Sequence, residues 1–243
     1  MTPVEKLIDT AQSQIGYLEK ATNSQLDDFT ANAGRANFTK YARDMHQLGV
    51  YNGNKNGYPW CDVFVDWCFV QTFGLELAMQ LTCQSLGGLG AGCTYSANYF
   101  KSKNQFFTAN PKPGDQIFFT NDNGKTSYHT GLVYQVDGSC VYTIEGNTSD
   151  VDGVVENGGA VVAKSYSLTY YKIYGYGRPD FDLVPVSETP TAEPSDWSQE
   201  AREWAVETGL IAGDGKGDMK WLDNVTREQL VTILYRYHNL AKD

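Results

Sequence analysis

A cysteine lies where residues 59–68, PWCDVFVDWC, predict the beginning of a helix. Pro59 suits that position, because the first residues of a helix need no partner for the backbone N–H. Side chains that suit a core then recur at helical spacing: Trp60, Phe64, Trp67 and Cys68. The positive end of the helix dipole favours a thiolate over a thiol. Cys61 is therefore a candidate nucleophile at the start of a buried helix.

Such a nucleophile needs a base, and the chain has 3 histidines. His129 begins the strand-like run HTGLVY, whereas His46 lies in a predicted helix, YARDMHQLG, where a surface position is expected. The next strand-like run, VYTIEGN, ends with Glu145 and Asn147, which are two residues apart and so face the same side of a strand. Either side chain could hold the His129 ring, as the third member of a triad does. For Asn147, an ordinary turn residue is the alternative.

The order of the predicted elements indicates the fold class. Helices and Gly/Asn-rich loops are predicted up to about residue 110, and short strands follow up to about residue 180. The first helix should present Val4, Leu7, Ile8, Ala11 and Ile15 on one face. Strands are predicted at residues 116–120, 128–136, 141–145, 160–166 and 173–177. Helices followed by antiparallel strands indicate an α+β domain.

A second, smaller module is predicted at the C-terminus. Residues 183–195 are proline-rich and acidic, which is typical of a linker. Residues 196–243 predict a helix, a glycine-rich loop at 209–218 and a second helix that begins at Thr226. The apolar face of that second helix consists of Leu230, Ile233, Leu234 and Tyr237. A unit of this size buries little core alone, so we expect it either to associate with other copies or to pack on the rest of the chain.

Composition excludes several classes of partner. The net charge of −10 argues against nucleic acid and against anionic membrane surfaces. No run approaches the roughly 18–20 apolar residues of a membrane span. The first residues lack the basic start and apolar core of a signal peptide, so synthesis in the cytoplasm without one is expected. The cysteines match no zinc spacing, and we expect four of them to be small buried side chains: Cys68, Cys83, Cys93 and Cys140.

The residues around the predicted site resemble the CHAP family, the cysteine- and histidine-dependent amidohydrolases and peptidases. The resemblance lies in WCDVFVDWC, SYHTGLVY and IEGN, together with residues 83–100 and the run KPGDQIFF, and it extends over residues 1–182. It implies a papain-like fold in which helices pack on an antiparallel sheet. It also implies a site made of Cys61, His129, Glu145 and Asn147 that hydrolyses an amide bond of bacterial peptidoglycan, as an amidase or as an endopeptidase.

Some members of this family bind calcium in the loop that precedes the nucleophile. The corresponding residues here, 52–57, read NGNKNG and offer amides and a lysine. Calcium prefers several carboxylate oxygens. No metal and no other cofactor is therefore expected.

The C-terminal module resembles one S-layer homology (SLH) repeat, on WAV, GLIAG and VTREQ at residues 204–206, 209–213 and 225–229. The resemblance implies binding to a wall polysaccharide, with Trp204 and Arg227 as candidate contact residues; the alternative is an interaction hairpin without glycan specificity. Together, the two resemblances predict a phage endolysin that acts on the cell wall after release from the host. A bacterial autolysin of the same chemistry, a catalytically silent wall-binding protein and a cytosolic cysteine peptidase are the alternatives.

Overall fold

The computed structural model of the chain describes residues 1–155, 157–185, 194, 196–213, 219, 221 and 225–240. Contacts between Cα atoms divide the chain into two compact units, Met1–Val184 and Pro185–Asp243. Most of the predicted linker at 183–195 and the second half of the predicted loop at 209–218 lie outside the described residues. The boundaries given above for the linker therefore stay predictions.

Five helices precede the sheet in the described part of the first unit. They are α1 (Pro3–Gln12), α2 (Lys40–Gln47), α3 (Cys61–Phe73), α4 (Leu75–Leu81) and α5 (Cys93–Ser102). Thr2 begins α1 with a capping box, since its hydroxyl accepts from the Glu5 N–H while the Glu5 carboxylate accepts from the Thr2 N–H. Leu7 is buried as expected, but the face predicted for α1 was wrong at Ile15, because the helix ends at Gln12 and Ile15 is exposed beyond it.

The strands form one antiparallel sheet. They are β1 (Phe106–Phe107), β2 (Gln116–Phe119), β3 (His129–Val136), β4 (Cys140–Thr148), β5 (Ala160–Ser167) and β6 (Ile173–Gly177). Their order across the sheet is β1-β6-β2-β3-β4-β5, and every neighbouring pair is antiparallel. The predicted α+β class is confirmed, and each of the five predicted strands is present with bounds that differ by at most three residues. The two-residue strand β1 was not predicted.

Helix α3 lies in the core of the first unit. All its residues from Cys61 to Val70 are buried, as expected of a helix that is covered on every side. It packs on β3 and β4 and is covered by α1, α2 and α4. Gly146 of β4 permits this close approach, because a Cβ there would lie 2.6 Å from the Phe64 Cβ and 2.8 Å from Cζ3 of Trp60.

The start of α3 is also held from the N-terminal side. The segment that follows α1 runs along the free edge of β5, where the Val161 N–H donates to the Tyr17 carbonyl at 3.0 Å and the Glu19 N–H to the Gly159 carbonyl at 2.8 Å. The buried Glu19 carboxylate then accepts from Nε1 of Trp60 at 2.9 Å. Because Trp60 directly precedes Cys61, this bond fixes the first turn of α3 relative to the sheet.

The second unit contains two helices among its described residues, α6 (Gln199–Glu207) and α7 (Arg227–Leu240). The capping start predicted at Thr226 is present, since its hydroxyl accepts from the Gln229 N–H at 3.1 Å and its N–H donates to the Gln229 side chain at 2.8 Å. Helix α7 buries none of its residues. None of the helices in the described part of the chain combines the length and the apolar character that a membrane span requires.

Candidate active site

Cys61 is the first residue of α3, after the N-cap residue Trp60. Only 4% of its surface is exposed. Its own N–H is among the first N–H groups of the helix, which have no carbonyl partner within the helix. The thiol and this N–H therefore lie together at the positive end of the helix dipole, where negative charge on sulfur or on a substrate oxygen is favoured.

His129 begins β3 opposite Phe119 of β2 and is fully buried. Its Nε2 atom lies 2.9 Å from Oε2 of Glu145. Its Nδ1 atom is also buried, and Cys61 interacts with the ring through a hydrogen bond and through its charge. The Glu145 contact sets the ring orientation and leaves Nδ1 as the nitrogen that can exchange a proton with Cys61.

Glu145 is held by three donors. In addition to His129, Oε2 accepts from the Tyr166 hydroxyl at 3.2 Å, and Oε1 accepts from the Thr143 hydroxyl at 2.6 Å. Burial raises the pKa of Tyr166 well above its ordinary value, so this phenol stays protonated and can donate. Gly131 makes room for the carboxylate to cross β3, because a Cβ there would lie 2.5 Å from Cγ of Glu145.

Asn147 lies two residues beyond Glu145 and is also buried. It sits at an irregularity in the pairing of β4 with β5 and has a φ of 55°, a conformation that asparagine adopts more readily than most residues. Its backbone carbonyl accepts from the Gly158 N–H at 2.9 Å. The Glu145 carboxylate, one of the two candidates for holding the His129 ring, contacts that ring in the structure.

A second thiol lies beside the candidate nucleophile Cys61. Cys93, the first residue of α5, places its Sγ 3.5 Å from Sγ of Cys61. The prediction of buried cysteines is confirmed for Cys68 and Cys93 but was wrong for Cys83 and Cys140, which are partly exposed. Cys83 lies in the turn after α4, where its thiol contacts Gln105, and Cys140 lies at the edge of the turn that begins β4.

The charges of these groups favour a thiolate–imidazolium pair. The pKa of the Cys61 thiol lies well below its ordinary value, because the Cys93 thiol donates to it and His129 attracts it, which together exceed the opposing effect of burial. Burial by itself would lower the pKa of His129, but the Cys61 thiolate and the Glu145 carboxylate raise it to about 10. At neutral pH, the pair is therefore a nucleophile facing a proton donor.

A buried polar cluster connects α3 to its neighbours just behind the thiol. Asp62 accepts from the Ser96 hydroxyl at 2.6 Å and from Nε2 of Gln116 at 2.8 Å, which joins α3 to α5 and to β2. Burial raises the pKa of Asp62 well above its ordinary value and that of Asp66 to about 7. Asp66 accepts from the Tyr51 hydroxyl and from the side-chain amide of Gln84.

The position of His46 agrees with the prediction, since this histidine is exposed in the last turn of α2. No group of three or more histidine, cysteine, aspartate or glutamate side chains among the described residues is arranged to hold a metal ion. In the C-terminal unit, Trp204 is 44% exposed and Arg227 is exposed at the start of α7. The absence of a cofactor and the wall-binding role of these two residues stay predictions.

Sequence reasoning missed Cys93, Thr143, Gly131 and Tyr166. Thr143 carried a usable signal, because it lies two residues before Glu145 and so faces the same side of β4. Tyr166 and Gly131 reach Glu145 only through the pairing of β4 with its two neighbours, β5 and β3. Nothing in the local pattern around Cys93 indicated its proximity to Cys61.

One region of the chain matches a known protein family. Residues 53–147 match the family model described as the CHAP domain, and the match includes Cys61, His129, Glu145 and Asn147. The resemblance predicted from the sequence is confirmed for this region. No curated protein matches the chain.

Two similar solved structures extend beyond this region. The crystal structure of Ly7917 is 12% identical, with a TM-score of 0.42, over 74% of this chain and 63% of that chain. The crystal structure of Ly7917 with the hydrolyzing product of MDP is 17% identical, with a TM-score of 0.38, over 72% of this chain and 62% of that chain. This chain thus spans less than two thirds of the Ly7917 chain.

Proposed function

We propose that this protein is a peptidoglycan hydrolase that cleaves an amide bond by cysteine nucleophilic catalysis. The observation that carries the proposal is the arrangement of Cys61, His129 and Glu145 within the region that matches the CHAP domain. The helices packed on an antiparallel sheet support a papain-like arrangement of this unit. A catalytically silent wall-binding protein would need none of these buried, charged contacts.

The chemistry follows from the positions of the three side chains. The Cys61 thiolate attacks the carbonyl carbon of the amide, and the Cys61 N–H at the start of α3 stabilises the oxyanion. His129 then donates its Nδ1 proton to the leaving amine, which gives a thioester on Cys61. Water deprotonated by the same nitrogen hydrolyses the thioester, and the departing Cys61 thiolate and protonated His129 restore the starting pair. Glu145 stabilises the imidazolium form throughout.

The bond that is cut distinguishes two enzymes of the same chemistry. An N-acetylmuramoyl-L-alanine amidase separates the glycan from the peptide, whereas an endopeptidase cuts within the peptide. Digestion of purified Gram-positive cell walls, followed by mass spectrometry, separates them: a new N-terminal alanine together with free muramic acid indicates the amidase, and other new amino termini indicate the endopeptidase. If the digestion yields neither kind of new amino terminus, the proposed function is contradicted.

Two substitutions connect this activity to the proposed residues. We expect His129→Ala to lose activity about as completely as Cys61→Ser, and the double variant to be no worse than either, because the pair acts as a unit. Circular dichroism of each variant verifies that the fold is retained. Substantial lysis by a folded Cys61→Ser variant would contradict the mechanism.

For the second unit, we propose binding to a wall polysaccharide, which would bring an acidic enzyme to an anionic wall. Its support is the exposure of large side chains: Trp197 is 88% exposed and Trp204 44% exposed. Most apolar residues of α7 are exposed as well, among them Leu234 at 56%, which supports association between copies through this unit. Wall binding by the full chain and by an Arg227→Ala variant, on walls with and without secondary polysaccharide, tests the assignment. If binding is altered neither by Arg227→Ala nor by removal of the secondary polysaccharide, the wall-binding assignment is contradicted.

The place of action is part of the same proposal. An endolysin would be made in the host cytoplasm and would reach the wall after release, and an autolysin would perform the same reaction for the cell that makes it. Lysis that requires a co-expressed membrane-permeabilising protein when the chain is produced inside a bacterium would favour the endolysin. Lysis by the chain alone would favour the autolysin.

A further inference from the structure

The two thiols at the site are in direct contact. Sγ of Cys61 and Sγ of Cys93 are 3.5 Å apart, and both cysteines are free. Each is the first residue of a helix, α3 and α5 respectively. Cys61 is 4% exposed and Cys93 is 7% exposed, so the pair is enclosed but reachable by a small reagent.

We propose that Cys93 is a resolving cysteine: after a peroxide oxidises Cys61, the two sulfurs join in a disulfide that holds the nucleophile in a reversible, inactive form. The effect on lysis rests on the proposed function, whereas formation of the disulfide does not.

Neighbouring hydrogen bonds hold the start of α3 next to the start of α5, and so hold the two sulfurs close together. Ser96 lies one turn after Cys93 on α5, and its hydroxyl donates at 2.6 Å to Asp62, the residue that follows Cys61 on α3. The same carboxylate accepts from Gln116 of β2. A disulfide bond is about 2.0 Å long, so the sulfurs must approach by about 1.5 Å from their separation of 3.5 Å. The disulfide therefore requires rotation of one or both cysteine side chains.

The reaction balances with a peroxide as the oxidant. The Cys61 thiolate attacks one peroxide oxygen, the O–O bond breaks, and the departing oxygen takes up a proton, which leaves a sulfenic acid on Cys61. The Cys93 sulfur then attacks the Cys61 sulfur, the S–O bond breaks, and the hydroxyl leaves as water with the Cys93 proton. Two electrons pass to the peroxide, one from each sulfur.

The order of the two steps follows from the electrostatics. Cys61 reacts first because its pKa lies well below that of an ordinary thiol. The pKa of Cys93 is raised, firstly by its hydrogen bond to Cys61 and then by burial and by the Cys61 charge. Once Cys61 is a sulfenic acid, its negative charge no longer raises the pKa of Cys93. Cys93 becomes easier to deprotonate at the moment when it has an electrophilic sulfur to attack.

The test uses the full chain treated with hydrogen peroxide, blocked with N-ethylmaleimide and digested without reductant. Mass spectrometry should find the Cys61 and Cys93 peptides linked, with a mass about 2 Da below the sum of the two. Lysis should be lost with peroxide and mostly regained with dithiothreitol, each value relative to the untreated sample. In Cys93→Ser, Cys61 should instead progress to sulfinic or sulfonic acid, and little activity should return.

A matched control is Cys83→Ser, which removes a partly exposed thiol outside the pair and should behave like the wild type. If Cys93→Ser does not fold, Cys93→Ala replaces it, and the mass of the oxidised wild-type peptides decides alone. Oxidation of Cys61 without a link to Cys93, or equal recovery by a folded Cys93 variant, would overturn the proposal. A linked pair in a protein without lytic activity would support the disulfide and refute only the proposed hydrolase.

Discussion

The pH dependence of catalysis tests the partnership between His129 and Glu145. With the charge of Glu145 present, the pKa of His129 is about 10, so the imidazolium persists well above neutral pH. Glutamine at position 145 would keep an acceptor but remove the charge. A hydrogen bond to a charged group is worth about 1.5–3 kcal/mol, and one pKa unit corresponds to about 1.4 kcal/mol. The pKa of His129 should therefore fall by about one to two units, to roughly 8–9.

The assay is the dependence of kcat/KM on pH, measured with purified peptidoglycan for the wild type and for Glu145→Gln. In the proposed mechanism, the alkaline limb reports loss of the proton that His129 gives to the leaving amine, so it should move to lower pH in the variant. Tyr166→Phe removes a neutral donor from the same carboxylate and should change the limb by less. The exposed Glu76 offers the matched control, since Glu76→Gln should leave the profile unchanged.

Glu145→Gln also has a structural cost that the assay must separate. The carboxylate accepts from His129, Thr143 and Tyr166, and a glutamine amide cannot accept at both of its ends. One donor loses its acceptor, which should cost about 1–3 kcal/mol of folding free energy. Thermal unfolding of each variant measures this loss independently of pH. An alkaline limb that stays in place in a folded Glu145→Gln variant, and that moves in Asn147→Ala, would assign the orienting role to Asn147.

Three further results are expected. Cys61→Ser should lower lytic activity by more than about a thousandfold, whereas Cys68→Ser, on the same helix but outside the site, should keep most of it; similar losses in both would mean that the change acts through the fold. Chelation by EDTA should leave activity nearly unchanged, because residues 52–57 offer amides and a lysine; a loss that added calcium restores would show a metal site. Residues 1–182 alone should fold and digest purified peptidoglycan but bind intact cells poorly, and cell binding equal to that of the full chain would contradict the role given to the C-terminal unit.

The sheet could be predicted from the sequence because each long strand is a β-rich run bounded by glycine, asparagine or aspartate. The buried helix α3 was equally clear from its aromatic spacing and from Pro59. Strand β1 could not be predicted, since two residues carry no periodicity and Phe106 pairs with Gly177 from the far end of the unit. The error at Ile15 has a local cause: α1 ends at Gln12, and no helix carries the apolar spacing further.

The candidate site was predictable in its residue types but not in its contacts. Cys61 and His129 followed from the scarcity of bases and from the helix start. The choice between Glu145 and Asn147 was open, because both face one side of a regular strand; the irregular pairing near the end of β4 breaks that equivalence. The contact between Cys61 and Cys93 spans 32 residues and depends on how α5 packs on α3, which no local pattern encodes.

Two glycines explain why Glu145 can reach His129 from a strand that also packs against α3. At Gly131, a methyl group would lie 2.5 Å from Cγ of Glu145, within the path that the carboxylate takes across β3. At Gly146, a methyl group would lie 2.6 Å from the Phe64 Cβ and would push β4 away from α3. The first position affects the distance between Glu145 and His129, and the second affects the distance between the sheet and the helix that carries Cys61. The geometry of the site therefore depends on where side chains are absent as well as on the residues that react.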